Sequence, residues 1–304
     1  MVINNPDICG ALTWSLRYRY RNGGFYWHSE PAGMGIYKAF HWPGFSSGEA
    51  YDERKLMQMY REKAFVIQGK TVPEVSVPIK AKLLPIETVY SISWQGSMGA
   101  ESYEIERAEN INGPWELIAS NVNDASNPYF PLYHDIDAKI GESYFYRVKA
   151  INSSGKSASS NIVGPVHVKY QALIDDMVNY GKLYASKQVK PVTGNDRSFK
   201  EILHRMEGNN ESEIIYKVPG TLYQCKIYNF EKGSTDHACE IQGSSDGEIW
   251  ENIETEVKVY SSGESNYDYW HPKTFTQIGK DNVKYLKILF KDEAQIARVE
   301  IIYN

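Results

Sequence analysis

Cysteine is scarce in this 304-residue chain. Cys9, Cys225 and Cys239 are all it has, too few for a disulfide framework. Cys225 and Cys239 lie on either side of a hairpin expected around Gly233, which leaves two readings open: a cross-strand bridge in an oxidising compartment, or two small buried thiols. Long apolar runs are missing as well. No stretch approaches the roughly 18 consecutive apolar residues of a membrane helix, so membrane insertion is not expected. The start, Met1-Val-Ile-Asn-Asn-Pro6, lacks the basic and apolar regions of a secretion signal. Charge of one sign is nowhere gathered into a block. With 33 Lys and Arg against 38 Asp and Glu the net charge is −5, and nucleic acid is not an expected partner. Zinc-ligand spacings, phosphate-cradling glycine loops and Ser/His/Asp sets are also absent.

Aromatic residues are what the chain has in abundance, with 23 Tyr, 7 Trp and 10 Phe. Such rings offer large flat apolar faces with polar edges. They suit stacking on sugar rings, and they equally fill β-sandwich cores. Hydrophobic residues make up 42% and charged residues 23%, the balance of a globular chain rather than a disordered one, and the length allows two or three domains.

In the first segment, Gly10-Ala-Leu-Thr-Trp14-Ser-Leu-Arg17 reads as a fully buried strand. It is followed by the glycine-led aromatic stretch Gly23-Gly-Phe-Tyr-Trp27-His28. Ser46-Ser-Gly-Glu49 has capping-box spacing, Leu56, Tyr60, Lys63/Ala64 and Ile67 recur at helical intervals, and Gly69 stops the helix. Together these residues resemble the last strand, loop and helix of a (β/α)8 barrel of the glycoside hydrolase family 5 type, most closely endo-β-mannanase-like proteins of bacteria. The resemblance implies that residues 1–70 are the final βα unit of such a barrel. It also implies that Trp14 is a sugar platform, that Arg17, Trp27 and His28 shape the adjoining subsites, and that the partner is a mannan-like polysaccharide.

A barrel needs about 200 residues ahead of its last strand, yet the motif begins at residue 10. The two glutamates that retaining enzymes use as acid/base and nucleophile belong to strands this chain does not contain. No catalytic residue is therefore assigned, and the chain alone is expected to be inactive as a polysaccharide hydrolase. Two alternatives stand beside this reading. An upstream chain could supply the rest of a split barrel, or the protein is a stand-alone carbohydrate-binding or adhesion protein whose first 70 residues form an adaptor helix and hairpin.

Thr71-Val-Pro-Glu-Val-Ser-Val-Pro78 reads as a proline-stiffened linker. Short alternating strands follow at Val89–Trp94, Ser102–Arg107, Trp115–Ala119 and Ser143–Ala150. Trp94, Tyr144 and Asn152-Ser-Ser-Gly-Lys-Ser157 in this order resemble a fibronectin type III domain over residues 71–169, which implies that Tyr144 is its tyrosine corner.

Residues 170–304 carry a second set of strands, at Ser212–Val218, Gln224–Asn229, Ala238–Gly243, Lys284–Phe290 and Ala297–Tyr303. The run Glu240 to Trp250, with its Ser245-Asp-Gly-Glu-Ile-Trp250 turn leading to a buried Trp, resembles galactose-binding-like jelly rolls. The fold class expected for the whole chain is thus mostly β: a barrel remnant, a fibronectin type III sandwich and a jelly-roll sandwich. In the last of these, Tyr267, Tyr269 and Trp270 are too dense for strand alternation and suggest a loop at the sandwich rim; the resemblance leaves two readings open, a sugar-binding loop with Asn195, Asp196 and Arg197 as polar helpers, or Tyr269 and Trp270 plugging the end of the barrel. Asp175 and Asp176 read either as ligands of a structural calcium ion or as acids at a helix start. No other cofactor is expected, and the domain resemblances imply an extracellular or cell-surface location.

Overall fold

The computed structural model describes residues 19, 21–24, 27–29, 36–38, 42, 54–124, 130–194, 202–232, 237–260, 270–279 and 282–304, with the backbone alone at 27–29 and 36–38. The chain is mostly β with one described helix. It divides into two compact units, the first holding Lys38–Asp137 and Glu142–His167, the second Val168–Asn304. No described helix is long and apolar enough to cross a membrane. Trp27–Ser29 and Ile36–Lys38 form a separate two-stranded sheet.

The helix of the first unit runs over Arg54–Ile67. Its end follows from glycine chemistry. Gly69 adopts φ +64, its N–H donates to Val66 O at 3.0 Å, and Lys70 N–H donates to Phe65 O at 3.0 Å. This is the paired closure that a left-handed residue after the last turn permits. Of the expected stripe Leu56, Tyr60 and Lys63 are half-buried, while Ile67 is 69% exposed and the buried residue is Met57. Arg61, half-buried on the same helix, lies with its guanidinium over the rings of Trp42 at 5.1 Å and Phe65 at 5.8 Å and donates to Pro73 O.

The stretch after the helix has no regular structure, yet it is fastened down. Asn152 Nδ2 donates to Ser76 O at 2.7 Å and Ser154 Oγ donates to Val75 O, so the Asn-Ser-Ser-Gly turn secures the proline-rich segment to the sandwich. One sheet of that sandwich holds Glu116–Val122, Ser102–Ala108, Ser143–Asn152 and Gly155–Lys156 in that order, with Val163–His167 also paired to Ser143–Asn152. Opposite lies the short pair Lys82–Leu83 and Trp94–Gln95. Strict alternation along Ser143–Asn152 buries Tyr144, Tyr146, Val148 and Ala150, as a period of two requires. Trp94 and Tyr103 meet in the core at 5.0 Å. Gly24, expected in a barrel loop, instead bridges Gln95 and donates to Trp94 O at 2.7 Å.

The second unit is a sandwich of two antiparallel sheets. The larger runs Lys190–Val192, Arg205–Gly208, Ala294–Tyr303, Leu222–Glu231, His271–Ile278, Glu256–Val259, with Gln171–Asp175 also paired to Ala294–Tyr303. The smaller runs Ala185–Lys187, Glu213–Lys217, Tyr285–Phe290, Cys239–Ser244, Glu251–Asn252. Between them lie Ile214, Tyr216, Cys225, Ile227, Ile241, Phe275, Leu286, Ile288, Phe290, Val299 and Ile301. Cys225 and Cys239 are both buried and free. They sit on strands of different sheets, so the hairpin expected around Gly233, and a bridge across it, are not formed.

Asp175 ends a strand rather than starting a helix. Its carboxylate accepts Tyr216 Oη at 3.0 Å and Met177 N–H at 3.0 Å, while Asp176 pairs with Arg298. The two acids thus face separate partners. Among the described residues no three ligating side chains gather where a metal could be held. Trp250 is half-buried rather than buried, with Lys287 Nζ 4.0 Å from its ring centre.

Candidate functional site

The outer face of the larger sheet carries a compact set of rings and charges, and a bulge assembles it. Tyr228 is opposite Arg298, and the next pair is Asn229 with Ile296, so Ala297 is an extra residue on its strand. That insertion, as bulges do, leaves Arg298 and Gln295 facing the same side although they are three residues apart. Ala297 packs with Phe230, and Ile202, Tyr228 and Trp270 join them in a small apolar cluster distinct from the main core. Trp270 is half-buried, with Lys232 Nζ 4.9 Å from its ring centre.

The polar groups around these rings are held in place. Lys258, Thr274, Tyr228 and Arg298 form one row across four strands, and Glu256, Thr276, Lys226 and Glu300 form the next. The Arg298 guanidinium, 5% exposed, donates to Glu300 at 2.6 Å and to Asp176. Lys226 Nζ lies 4.7 Å from the Tyr228 ring centre and Lys258 Nζ 4.9 Å from that of Tyr260. Burial and then the Glu300 charge push the Tyr228 hydroxyl above its ordinary value, against Lys226 and Arg298. It therefore stays neutral at physiological pH, able both to donate and to accept. At the edge of the face, buried Arg205 donates to Gln295 at 2.6 Å, and Gln295 donates to Glu207 at 2.9 Å.

Flat rings beside fixed hydroxyl, amide, ammonium and carboxylate groups can stack on an apolar face and hydrogen-bond its edges at once. A groove elsewhere in this unit cannot. A groove of about 510 Å³ lined by Gln188, Lys190, Glu207, Asn209 and Glu293 has no aromatic ring in its wall.

Of the residues singled out in the sequence, Trp270 lies in this face. Tyr267 and Tyr269, like Asn195, Asp196 and Arg197, lie outside the described residues, as do Trp14 and Arg17. Trp27 and His28 belong to the strand Trp27–Ser29, of which only the backbone is described. Tyr228, Arg298 and Glu300 were missed. Alternation along Gln224–Asn229 places Tyr228 opposite in direction to Ile227, a signal that a polar-facing aromatic gives, but the strand pairing that brings Arg298 beside it leaves no trace in composition.

No family model matches the chain, and no curated protein matches it. Solved structures do. An Fn3-like protein from Clostridium thermocellum is similar over 30% of this chain and 91% of its own, at 22% identity and a TM-score of 0.23. A family 6 carbohydrate-binding module is similar over 42% of this chain and 90% of its own, at 10% identity and a TM-score of 0.26. The CBM51-2 and INT domains of Clostridium perfringens ZmpB are similar over 55% of this chain and 39% of theirs, at 12% identity and a TM-score of 0.25. These likenesses are distant and are to Fn3-like and carbohydrate-binding β-sandwiches; the mannanase-type barrel end expected for residues 1–70 gains no support.

Proposed function

We propose that the protein binds carbohydrate without cleaving it, and that the outer face of the larger sheet in the second unit is its binding surface. In this reading Tyr228 and Trp270 stack on sugar rings, Lys226, Lys258 and Glu300 hydrogen-bond hydroxyls, and Arg298 positions Glu300. Tyr267 and Tyr269, which precede Trp270 in the sequence, are proposed as further sugar-binding residues. A mannan-like polysaccharide is the ligand proposed first, met outside the cell or at its surface. The observation that carries the reading is the joining of two aromatic rings and a fixed row of charged groups on one sheet face.

Titration calorimetry of the full chain against mannan, galactan, xylan and N-acetylglucosamine oligosaccharides tests it. Binding to at least one of them is expected, with Trp270→Ala and Tyr228→Ala each weakening it about tenfold or more, the effect of losing one stacked ring with its desolvated contact. Absence of binding to all four, or variants that bind as the parent does, overturns the assignment.

A further inference from the structure

The interior of the second unit holds a reactive-looking trio that sugar binding does not use. Asn229 and Lys273 are directly opposed on the paired strands Leu222–Glu231 and His271–Ile278. Both face the core, since Ile227 and Phe275, two residues away on each strand, belong to it. Glu231, two residues beyond Asn229, shares that side. Each of the three is only 1% exposed. Lys273 Nζ donates to Glu231 Oε2, and Asn229 Nδ2 donates to Glu231 Oε1 at 2.7 Å. One carboxylate therefore holds the amine of one strand and the amide of the next side by side. Asn229 Oδ1 is buried and has no hydrogen-bond partner among the described residues.

As plain structure this arrangement is costly. Burying an ion pair forfeits hydration that the pairing only partly returns, and an orphaned carbonyl oxygen costs a further desolvation penalty. As chemistry it is complete, because it brings together an amine nucleophile, a carboxamide carbon and a carboxylate able to carry protons between them, away from water.

We propose that Lys273 and Asn229 join in an intramolecular isopeptide bond, with Glu231 as the proton carrier. Glu231 takes a proton from the Lys273 ammonium along the hydrogen bond between them, and the freed Nζ lone pair attacks Asn229 Cγ. The Glu231 acid protonates Oδ1, the unpartnered atom, as the tetrahedral carbon forms. Collapse breaks the Cγ–Nδ2 bond, and the departing nitrogen leaves as ammonia with the proton from Nζ. The balance is one ammonium and one primary amide converted to one secondary amide and one ammonium ion. Nothing is oxidised or reduced, and Glu231 ends as the carboxylate it began. The bond ties two neighbouring strands of the larger sheet and closes the intervening chain, which includes Trp270, into a covalent loop. Such a loop restricts the unfolded chain as a disulfide does, in a sandwich whose two thiols are unpaired.

Mass spectrometry of the denatured full chain, intact and after proteolysis, tests the proposal. The expected result is an intact mass lower than that of the sequence by one ammonia, and a single branched peptide linking the segments that contain Asn229 and Lys273. The variants Glu231→Gln and Lys273→Arg are expected to regain the mass of their sequences and to give two separate peptides. Full sequence mass in the parent protein overturns the proposal. So does loss of ammonia with the two peptides still separate, which would mark a cyclised asparagine instead. The parent peptide map decides by itself if the variants do not fold, and it does not depend on whether any sugar binds.

Discussion

The Tyr146 hydroxyl donates to Asp135 Oδ2 at 2.8 Å inside the first unit. Arg107 reaches the same carboxylate, with Nη1 3.1 Å from each oxygen, and lays its guanidinium 4.7 Å from the Tyr144 ring centre. The chain between the sheets is thus fastened by one acid with two donors. Tyr146 makes a hydroxyl link from its strand to the upstream loop, and Tyr144, the tyrosine corner expected from the sequence, is buried beneath the arginine. Burial and then the Asp135 charge push the Tyr146 hydroxyl far above its ordinary value, so it is a donor at neutral pH.

Removing one donor should cost less than removing the acceptor. Tyr146→Phe deletes a single hydrogen bond and leaves Asp135 with Arg107, a loss of about 1–3 kcal/mol. Asp135→Ala strands both the hydroxyl and a largely buried guanidinium, a loss of about 3–5 kcal/mol. Urea unfolding followed by tryptophan fluorescence ranks the two; equal or reversed costs would mean that the carboxylate is not the hub.

Acid should weaken the first unit through Glu106. Burial alone raises its carboxyl, but the hydrogen bonds from Lys149, at 2.7 Å, and from Arg147 outweigh it and hold the group below its ordinary value. A carboxyl with a lowered folded value adds stability that is present above the unfolded value, about 4.3 for glutamate, and is lost as pH falls through the folded one. Glu106→Gln should therefore be less stable than the parent at neutral pH, and the gap should close below about pH 4. Thermal melts across that range read the gap directly, and a gap independent of pH would remove the charge from the explanation.

How far the sequence disclosed this architecture depends on range. Period-two stretches such as Ser143–Ala150 and Lys284–Phe290 lie within two residues of the observed strands Ser143–Asn152 and Tyr285–Phe290, because alternation is a local property fixed by burial of one face. Gly69 stopped the helix for the same local reason. Pairing was harder to read. Cys225 and Cys239 are close in sequence with a turn expected between them, yet their strands lie in different sheets, the chain crossing from one layer to the other between them. The site depended on still longer range: Tyr228 meets Arg298 across strands 70 residues apart in the sequence, the register shift just beyond them turns Ala297 and Gln295 to the same face, and Trp270 was found because an aromatic cluster is visible in composition. Asn229, Glu231 and Lys273 gave no signal, as polar residues on an alternating strand read as solvent-facing until burial is known.

Close backbone approach makes one glycine sensitive. A Cβ on Gly208 would meet three atoms of the Phe290 ring at 2.8–2.9 Å, and that ring is fully buried. The conformation of Gly208 is ordinary, so the demand is for space rather than for a left-handed backbone. Gly208→Ala should destabilise the second unit by about 1–3 kcal/mol, as overpacking does. Coupling to Phe290→Leu in a double-mutant cycle should recover part of that loss. Additive effects in the cycle would show that the ring is not what excludes the methyl group.

Both described thiols should resist modification while the protein is folded. Burial pushes Cys225 up to about 12, and burial with the Glu231 charge beside it raises Cys239 as well. A thiol reacts as its thiolate, and at pH 8 neither group supplies one or meets solvent. Iodoacetamide applied to the native protein should leave Cys225 and Cys239 unmodified in a peptide map, and the same treatment in denaturant should alkylate both without prior reduction. Labelling of Cys239 in the native state would mean that the strand Cys239–Ser244 opens readily, which would also admit water to Asn229, Glu231 and Lys273. Failure of either cysteine to alkylate in denaturant until a reductant is added would mean that it is oxidised, and that the sandwich is closed by sulfur after all.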